Sequence, residues 1–324
     1  MTAQIARVDL PTEGTVRRWI RETDQPLFLY VSFAVLISAF SLATPIFLTA
    51  SNLLNIANQT ALVTIMAMGV AFVIITAEID LSVGSTLALS GVCAALFMRD
   101  AINNWLLAAI VAIAVGAMVG AVNGVLAVRI RIPSFLVTLG TLSMARGITL
   151  LVTGTSPVLV NNETFWSVFA EGTFIGIAAP ILWTVLVVAI AWAVLHYGIF
   201  GRQLYATGGN IDAARFSGIN TRRVKTVAFI VSGALAGLAG TIVAARGHAI
   251  RPDVGAGVEL DVIAAVILGG VSLFGGKGKI YGVILGSLII GILNNGLVLL
   301  GVDPSIQLTI KGFLIVVAVA FAKR

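Results

Sequence analysis

Apolar residues in this chain come in long unbroken blocks, with neither the half-polar stripe of a water-facing helix nor the alternation of a half-buried strand. Blocks of about 18 residues or more are long enough to cross a hydrocarbon core about 30 Å thick, because a helix rises about 1.5 Å per residue. A helix also satisfies its own backbone polar groups in lipid. The pattern predicts helical spans near 27–48, 54–76, 81–98, 104–128, 133–153, 174–197, 224–245, 259–274, 280–300 and 304–322. The third and eighth are short and glycine-rich, which leaves nine to eleven spans, or half-spanning pieces at those two places, open. The fold class expected is an all-α polytopic membrane protein of about ten transmembrane helices.

Composition agrees with the pattern. Only 10% of the 324 residues are charged, against about 25% in soluble domains, and the mean hydropathy is +1.06. The net charge of +6 raises the question of nucleic acid, but the basic residues sort by topology instead. With the N-terminus inside, the inner set is Arg7, Arg17, Arg18, Arg21, Arg129, Arg131, Arg202, Arg215, Arg222, Arg223, Lys225, Lys277, Lys279, Lys323 and Arg324, and only Arg99, Arg246 and Arg251 fall outside. That imbalance puts both termini in the cytoplasm and calls for a lipid bilayer as partner, with no nucleic acid. The first apolar block has no A-x-A cleavage site and is too long for a signal-peptide core, so it reads as a retained helix. Cys93, the single cysteine, has no internal partner for a disulfide.

An internal repeat follows from two alignments. "GAVNGVLAVRIRIPSFLVTLGTL" from Gly120 matches "GILNNGLVLLGVDPSIQLTIKGFL" from Gly291 at an offset of 171, pairing Asn123 with Asn294, Pro133 with Pro304, Ser134 with Ser305 and Thr138 with Thr309. Upstream, "EIDLSVGSTLALSGV" pairs Glu78 with Glu259 and Asp80 with Asp261 in "ELDVIAAVILGGVSL" at an offset of 181, a gap near Arg99 to Asn104 reconciling the two. Five helices per copy is an odd number, so the second copy is inverted, an architecture of transporters. The chain therefore divides into a cytoplasmic N-terminal segment (1–26), a first five-helix repeat (27–154), a periplasmic loop (155–173) and a second repeat (174–324) that contains a cytoplasmic loop at 198–224.

Charges in or beside spans are costly in lipid and mark function or pairing. Glu78, Asp80, Glu259 and Asp261 sit at helix ends, where a carboxylate caps free N–H groups or serves a gate. Arg146 and Lys311 lie inside spans, where snorkelling or pairing with a carboxylate or a helix-end carbonyl is weighed against ion coupling. Asn123, Asn294 and Asn295 form interhelical hydrogen bonds or line a pathway for a hydroxylated solute. Gly116, Gly120, Gly124, Gly286 and Gly291 let helices approach closely. His196 and His248 are too far apart to build a metal site, and no nucleophile elbow, HExxH or phosphate loop occurs. "GGKGK" at 275–279 reads as a tight basic turn. Neither a catalytic nor a metal residue is expected, and any ATP must be bound by another chain.

The polar loop contains "NIDAARFSGI", which predicts a short helix: Asn210 caps it, Asp212 and Ala213 start it, and Gly218 ends it. Its expected small-residue face is Ala213, Ala214 and Ser217, and it is too short to be stable without a partner.

"EIDLSVGS", "GRQLYATGGNIDAARFSGI", "ELDVIAAVILGGVSLFGGKGKIYG" and "ILNNGLVLLGV" together resemble the permease subunit of ribose-type ABC importers of monosaccharides, over about 300 residues. The sequence departs at Glu78, where a small residue is common, and at Val271. The resemblance implies a multi-pass permease of the bacterial inner membrane that works with a cytoplasmic ABC ATPase, a periplasmic sugar-binding protein and a second permease copy, identical or not. It implies no cofactor on this chain, with ATP and Mg held by the ATPase. It places Gly208, Gly209, Asn210, Asp212, Ala213, Ala214, Arg215 and Gly218 at the ATPase contact. The rival expectation is an ion-coupled secondary transporter built on the same repeat.

Overall fold

In a computed structural model, which describes residues 25–321, the chain is a bundle of helices with four two-residue strands. The N-terminal segment expected over 1–26 lies, but for its last two residues, outside the described residues, as do Arg7, Arg17, Arg18, Arg21, Lys323 and Arg324. Helix α1 (Gln25–Ala43) stops short of the expected position 48, because Pro45 disfavours helical backbone in the residue before it. α2 (Ala50–Ile75) starts at the Thr49 cap, whose side chain accepts from the Asn52 N–H. α3 (Val83–Asp100), α4 (Trp105–Val128) and α5 (Ser134–Thr153) complete the first half.

An outer segment follows, with β1 (Val158–Leu159), α6 (Glu163–Trp166), a π turn at Ser167–Glu171, and the hairpin of β2 (Thr173–Phe174) and β3 (Ile177–Ala178). That hairpin corrects the sequence expectation of a span from 174. Ile175 (φ 54°) and Gly176 (φ 77°) form its turn, so α7 begins at Ala179 and runs to His196.

The second half continues with α8 (Ile199–Gly209), α9 (Ile211–Phe216), α10 (Thr221–Arg246), β4 (Ala249–Ile250), α11 (Val258–Leu268), α12 (Ile280–Leu299) and α13 (Pro304–Phe321). α11 is shorter than the expected 259–274. At 11 residues it rises only about 16 Å, and Gly269 and Gly270 end it, the latter at φ 82°. Among the described residues, α2, α4, α5, α7, α10 and α12 are long and apolar enough to cross a bilayer.

α2, α10 and α12 are largely buried inside the bundle, whereas α4, α5 and α7 bury only a minority face. α10 packs most extensively against α4, and small residues make that contact. A side chain at Gly116 would run into the Gly233 carbonyl and one at Gly233 into the Gly116 carbonyl, so the two backbones touch. Gly120 and Gly124 meet Phe229 and Thr226 in the same way. Since lipid tails are as apolar as leucine, this close backbone packing does the work that hydrophobic burial does in water.

Candidate functional site

Three of the four acidic positions hold buried or half-buried networks that join helices. Asp80 follows the end of α2 and is 1% exposed. Its Oδ1 accepts from the Ser82 N–H at 3.0 Å and the Ser82 hydroxyl at 2.7 Å, and its Oδ2 accepts from the Ser232 hydroxyl of α10 at 2.8 Å. Asn123 of α4 donates to Ser82 Oγ at 2.9 Å and accepts from the Thr141 hydroxyl of α5 at 2.6 Å. One network thus ties α3, α4, α5 and α10 together. Two residues earlier, Glu78 receives Lys225 Nζ at 2.6 Å, both side chains less than a fifth exposed.

The second network is centred on Asp261 in the first turn of α11. Asn294 of α12 and Lys311 of α13 both donate to its Oδ2, each at 3.0 Å. Lys311 is therefore paired with a carboxylate. Arg146 of α5 reaches neither a carboxylate nor a helix-end carbonyl but the turn before α11, donating to Pro252 O at 2.7 Å and Val254 O at 2.8 Å. Asn295 forms a reciprocal amide pair with Asn52 of α2, at 3.0 and 2.9 Å. All three candidate asparagines are hydrogen-bonded between helices, the first of their two readings. Glu259 accepts from the Gly257 N–H at 3.2 Å, a local cap, and closes onto Gly84, where only the absence of a side chain leaves it room.

The polar 198–224 loop is itself two helices. α8 was invisible in the sequence, since its "IFGRQLYATGG" carries two terminal glycines. Those residues pack against the end of α2 and the 270–279 turn: Gly208 sits against the Ile75 carbonyl and Gly276, and Tyr205 donates to Gly278 O at 2.8 Å. Gly208 therefore serves packing within the chain, while Gly209 is open. α9 matches its prediction in detail: Asn210 accepts from the Asp212 and Ala213 N–H groups, and Gly218 follows at φ 81°. The expected face of three small residues divides, however. Ala214 is buried, whereas Ala213 and Ser217 are exposed, and Phe216, which the sequence reading passed over, is 93% exposed. Asp212 and Arg215 are also exposed, linked at 3.4 Å.

Against known proteins, a family model described as branched-chain amino acid transport system / permease component matches residues 52–319. The chain belongs to this permease family. It is 44% identical over 292 residues to the ribose import permease protein of Escherichia coli (strain K12), covering 89% of this chain and 91% of that one. It is 42% identical over 302 residues to the ribose import permease protein of Bacillus subtilis (strain 168), 93% of each chain. To the D-allose transport system permease protein of Escherichia coli (strain K12) it is 41% identical over 288 residues, 89% of this chain and 88% of that one. No solved structure matches the permease.

The face of the permease opposite α9 gathers elements far apart in sequence. β1 pairs with β4 antiparallel, joining the loop after α5 to the loop after α10. His248 stacks on Trp166 with ring centroids 3.9 Å apart and lies 2.6 Å from Glu171. Asn103 and Asn162 add hydrogen bonds across the same surface. Arg251 and Asp253 form a fork at 2.6 Å, and the guanidinium holds the Asp253 carboxyl below its ordinary range. Among the described residues no group of His, Cys, Asp and Glu is arranged to hold a metal.

Proposed function

We propose that this permease is the membrane-spanning subunit of an ATP-driven importer in the bacterial inner membrane. It carries a monosaccharide, a ribose-like pentose or a hexose, delivered by a periplasmic binding protein. The observation that carries this is identity of 40% or more over about nine tenths of both chains with relatives named for ribose and allose transport. The family description names branched-chain amino acids, but the relatives matched over about nine tenths of their length are named for ribose and allose transport.

The permease hydrolyses nothing itself. ATP and Mg belong to the cytoplasmic ATPase, which docks on α9, with Ala213, Phe216 and Ser217 forming the outward surface and Gly209, Asn210, Asp212, Arg215 and Gly218 shaping the helix and its ends. The loaded binding protein docks on the face built by β1, β4, α6 and the Trp166–His248 stack. A second copy of the permease completes the assembly. ATP-driven closure of the ATPases moves α9 as a rigid lever, and alternating access follows.

An inverted repeat of two five-helix units is part of the proposal. Shifted by 171 residues, the bounds of α2 fall on those of α10, and the last residue of α4 falls on the last of α12. Each copy's long core helix packs on the other copy's fourth span, α10 on α4 and α2 on α12. The contact of Gly291 with Thr60 and that of Gly120 with Phe229 and Ile230 occupy nearly the same repeat positions.

The deciding experiment is a pull-down of the tagged permease from mild detergent with ATPase assay and mass spectrometry, beside uptake of labelled ribose and allose in cells. A co-purifying nucleotide-binding chain and ATP-dependent uptake are expected. A lone chain that moves solute down an ion gradient would replace the importer with a secondary transporter.

A further inference from the structure

The two acid networks differ where the repeat says they should match. Around Asp80, three hydroxyls serve the acceptors: Ser82 and Ser232 donate to the carboxylate and Thr141 donates to Asn123 Oδ1. Carried across by the repeat offsets of 181 and 171, Ser82, Thr141 and Ser232 correspond to Ile263, Gly312 and Ala61. None of the three hydroxyls exists around Asp261. Asn294 and Lys311 both donate to Oδ2 of Asp261, and two atoms are left over. Asp261 Oδ1 and Asn294 Oδ1 are buried with no hydrogen-bond partner, although Asp261 is only 6% exposed. They are the repeat counterparts of the two oxygens that Ser82 and Thr141 satisfy. A Cβ added at Gly312, the repeat counterpart of Thr141, would meet no atom within 4 Å.

A buried acceptor without a donor is costly, and low surrounding dielectric raises the cost. Two at one junction call for a donor from outside the chain. A metal cation is a poor choice beside the Lys311 ammonium. We propose that Asp261 Oδ1, Asn294 Oδ1 and the opening at Gly312 form a notch that binds an O–H donor: a hydroxyl of the transported polyol in passage, or a water molecule at rest. The solute source rests on the importer reading; the notch itself does not.

The test restores the missing hydroxyl in the assembled complex. Gly312→Thr adds it, and Gly312→Val adds the same bulk and branching without it, so helix propensity and space cancel in the comparison. Gly312→Ser against Gly312→Ala repeats the comparison with less bulk if the larger pair fails to insert. Melting of the purified complex should be higher for the hydroxyl variant by about 2 °C or more. If solute hydroxyls use the notch, uptake of labelled ribose or allose should also fall about fivefold in the Thr variant relative to Val, the loss of one hydrogen bond to a neutral amide oxygen. A higher melting point with equal uptake assigns the notch to water. Equal melting and equal uptake within both pairs overturn the proposal. If wild-type cells take up neither sugar, the importer reading fails, and the melting comparison still decides the notch.

Discussion

At the scale of single residues, the chain relies on buried pairs that only the folded state reveals. Glu78 and Lys225 are 147 positions apart and meet at 2.6 Å, fastening the loop before α3 to the first turns of α10. Removing one partner strands a half-buried charge, whereas removing both does not. Lys225→Met and Glu78→Gln should each lower the melting temperature of the detergent-purified permease, and the double variant should recover part of the loss, with a coupling of about 1–2 kcal/mol. Additive losses would mean that the pair is not a unit. The glycine crossing is stricter. Gly116→Val pushes Cβ into the Gly233 carbonyl, with backbone on both sides unable to yield, so the variant should be absent from membrane fractions. Gly140→Val, whose added Cβ meets nothing within 4 Å, should accumulate normally, as an immunoblot of both will report.

At the scale of elements, what was legible in the sequence was what local chemistry decides. The apolar blocks located the long helices, and the Asn210 cap with Gly218 located α9, because caps are satisfied within a turn or two of their own residues. The hairpin at 173–178, the helix α8 and the early end of α11 were not legible: apolarity alone does not separate a six-residue hairpin from a helix start, and Gly269 and Gly270 could equally sit inside a thin helix. Nor does a period of 3.6 say which small residue on a six-residue helix turns inward, since that depends on what lies beneath it. Ala214 does turn inward, so Ala214→Arg should lower the melting temperature and lose the ATPase together. Phe216→Asp and Ala213→Arg alter only the exposed side of α9. Both should keep the wild-type level and melting temperature while co-purified ATPase activity falls by about tenfold or more. Unchanged ATPase recovery in both would remove α9 from the docking surface.

At the scale of the whole molecule, neither half of the chain is complete alone. The residue that serves Asp80 Oδ2 is Ser232, from the second half, and the partner of Asn295 is Asn52, from the first. α10 also lies antiparallel to α2, since Gly69 meets Ser232 while Glu78, further along, meets Lys225, earlier in its helix. In the inverted repeat proposed above the chain crosses the membrane an odd number of times per copy, and the single crossing of α7 then puts α9 and the β2–β3 hairpin on opposite faces. That can be measured directly. With Cys93→Ser as background, Ile175→Cys and Asp212→Cys each offer one exposed thiol. A membrane-impermeant maleimide applied to spheroplasts should label the first, and should label the second only after the membrane is opened. Equal labelling of both in intact spheroplasts would put hairpin and α9 on one side, and the five-plus-five inverted arrangement would have to be abandoned.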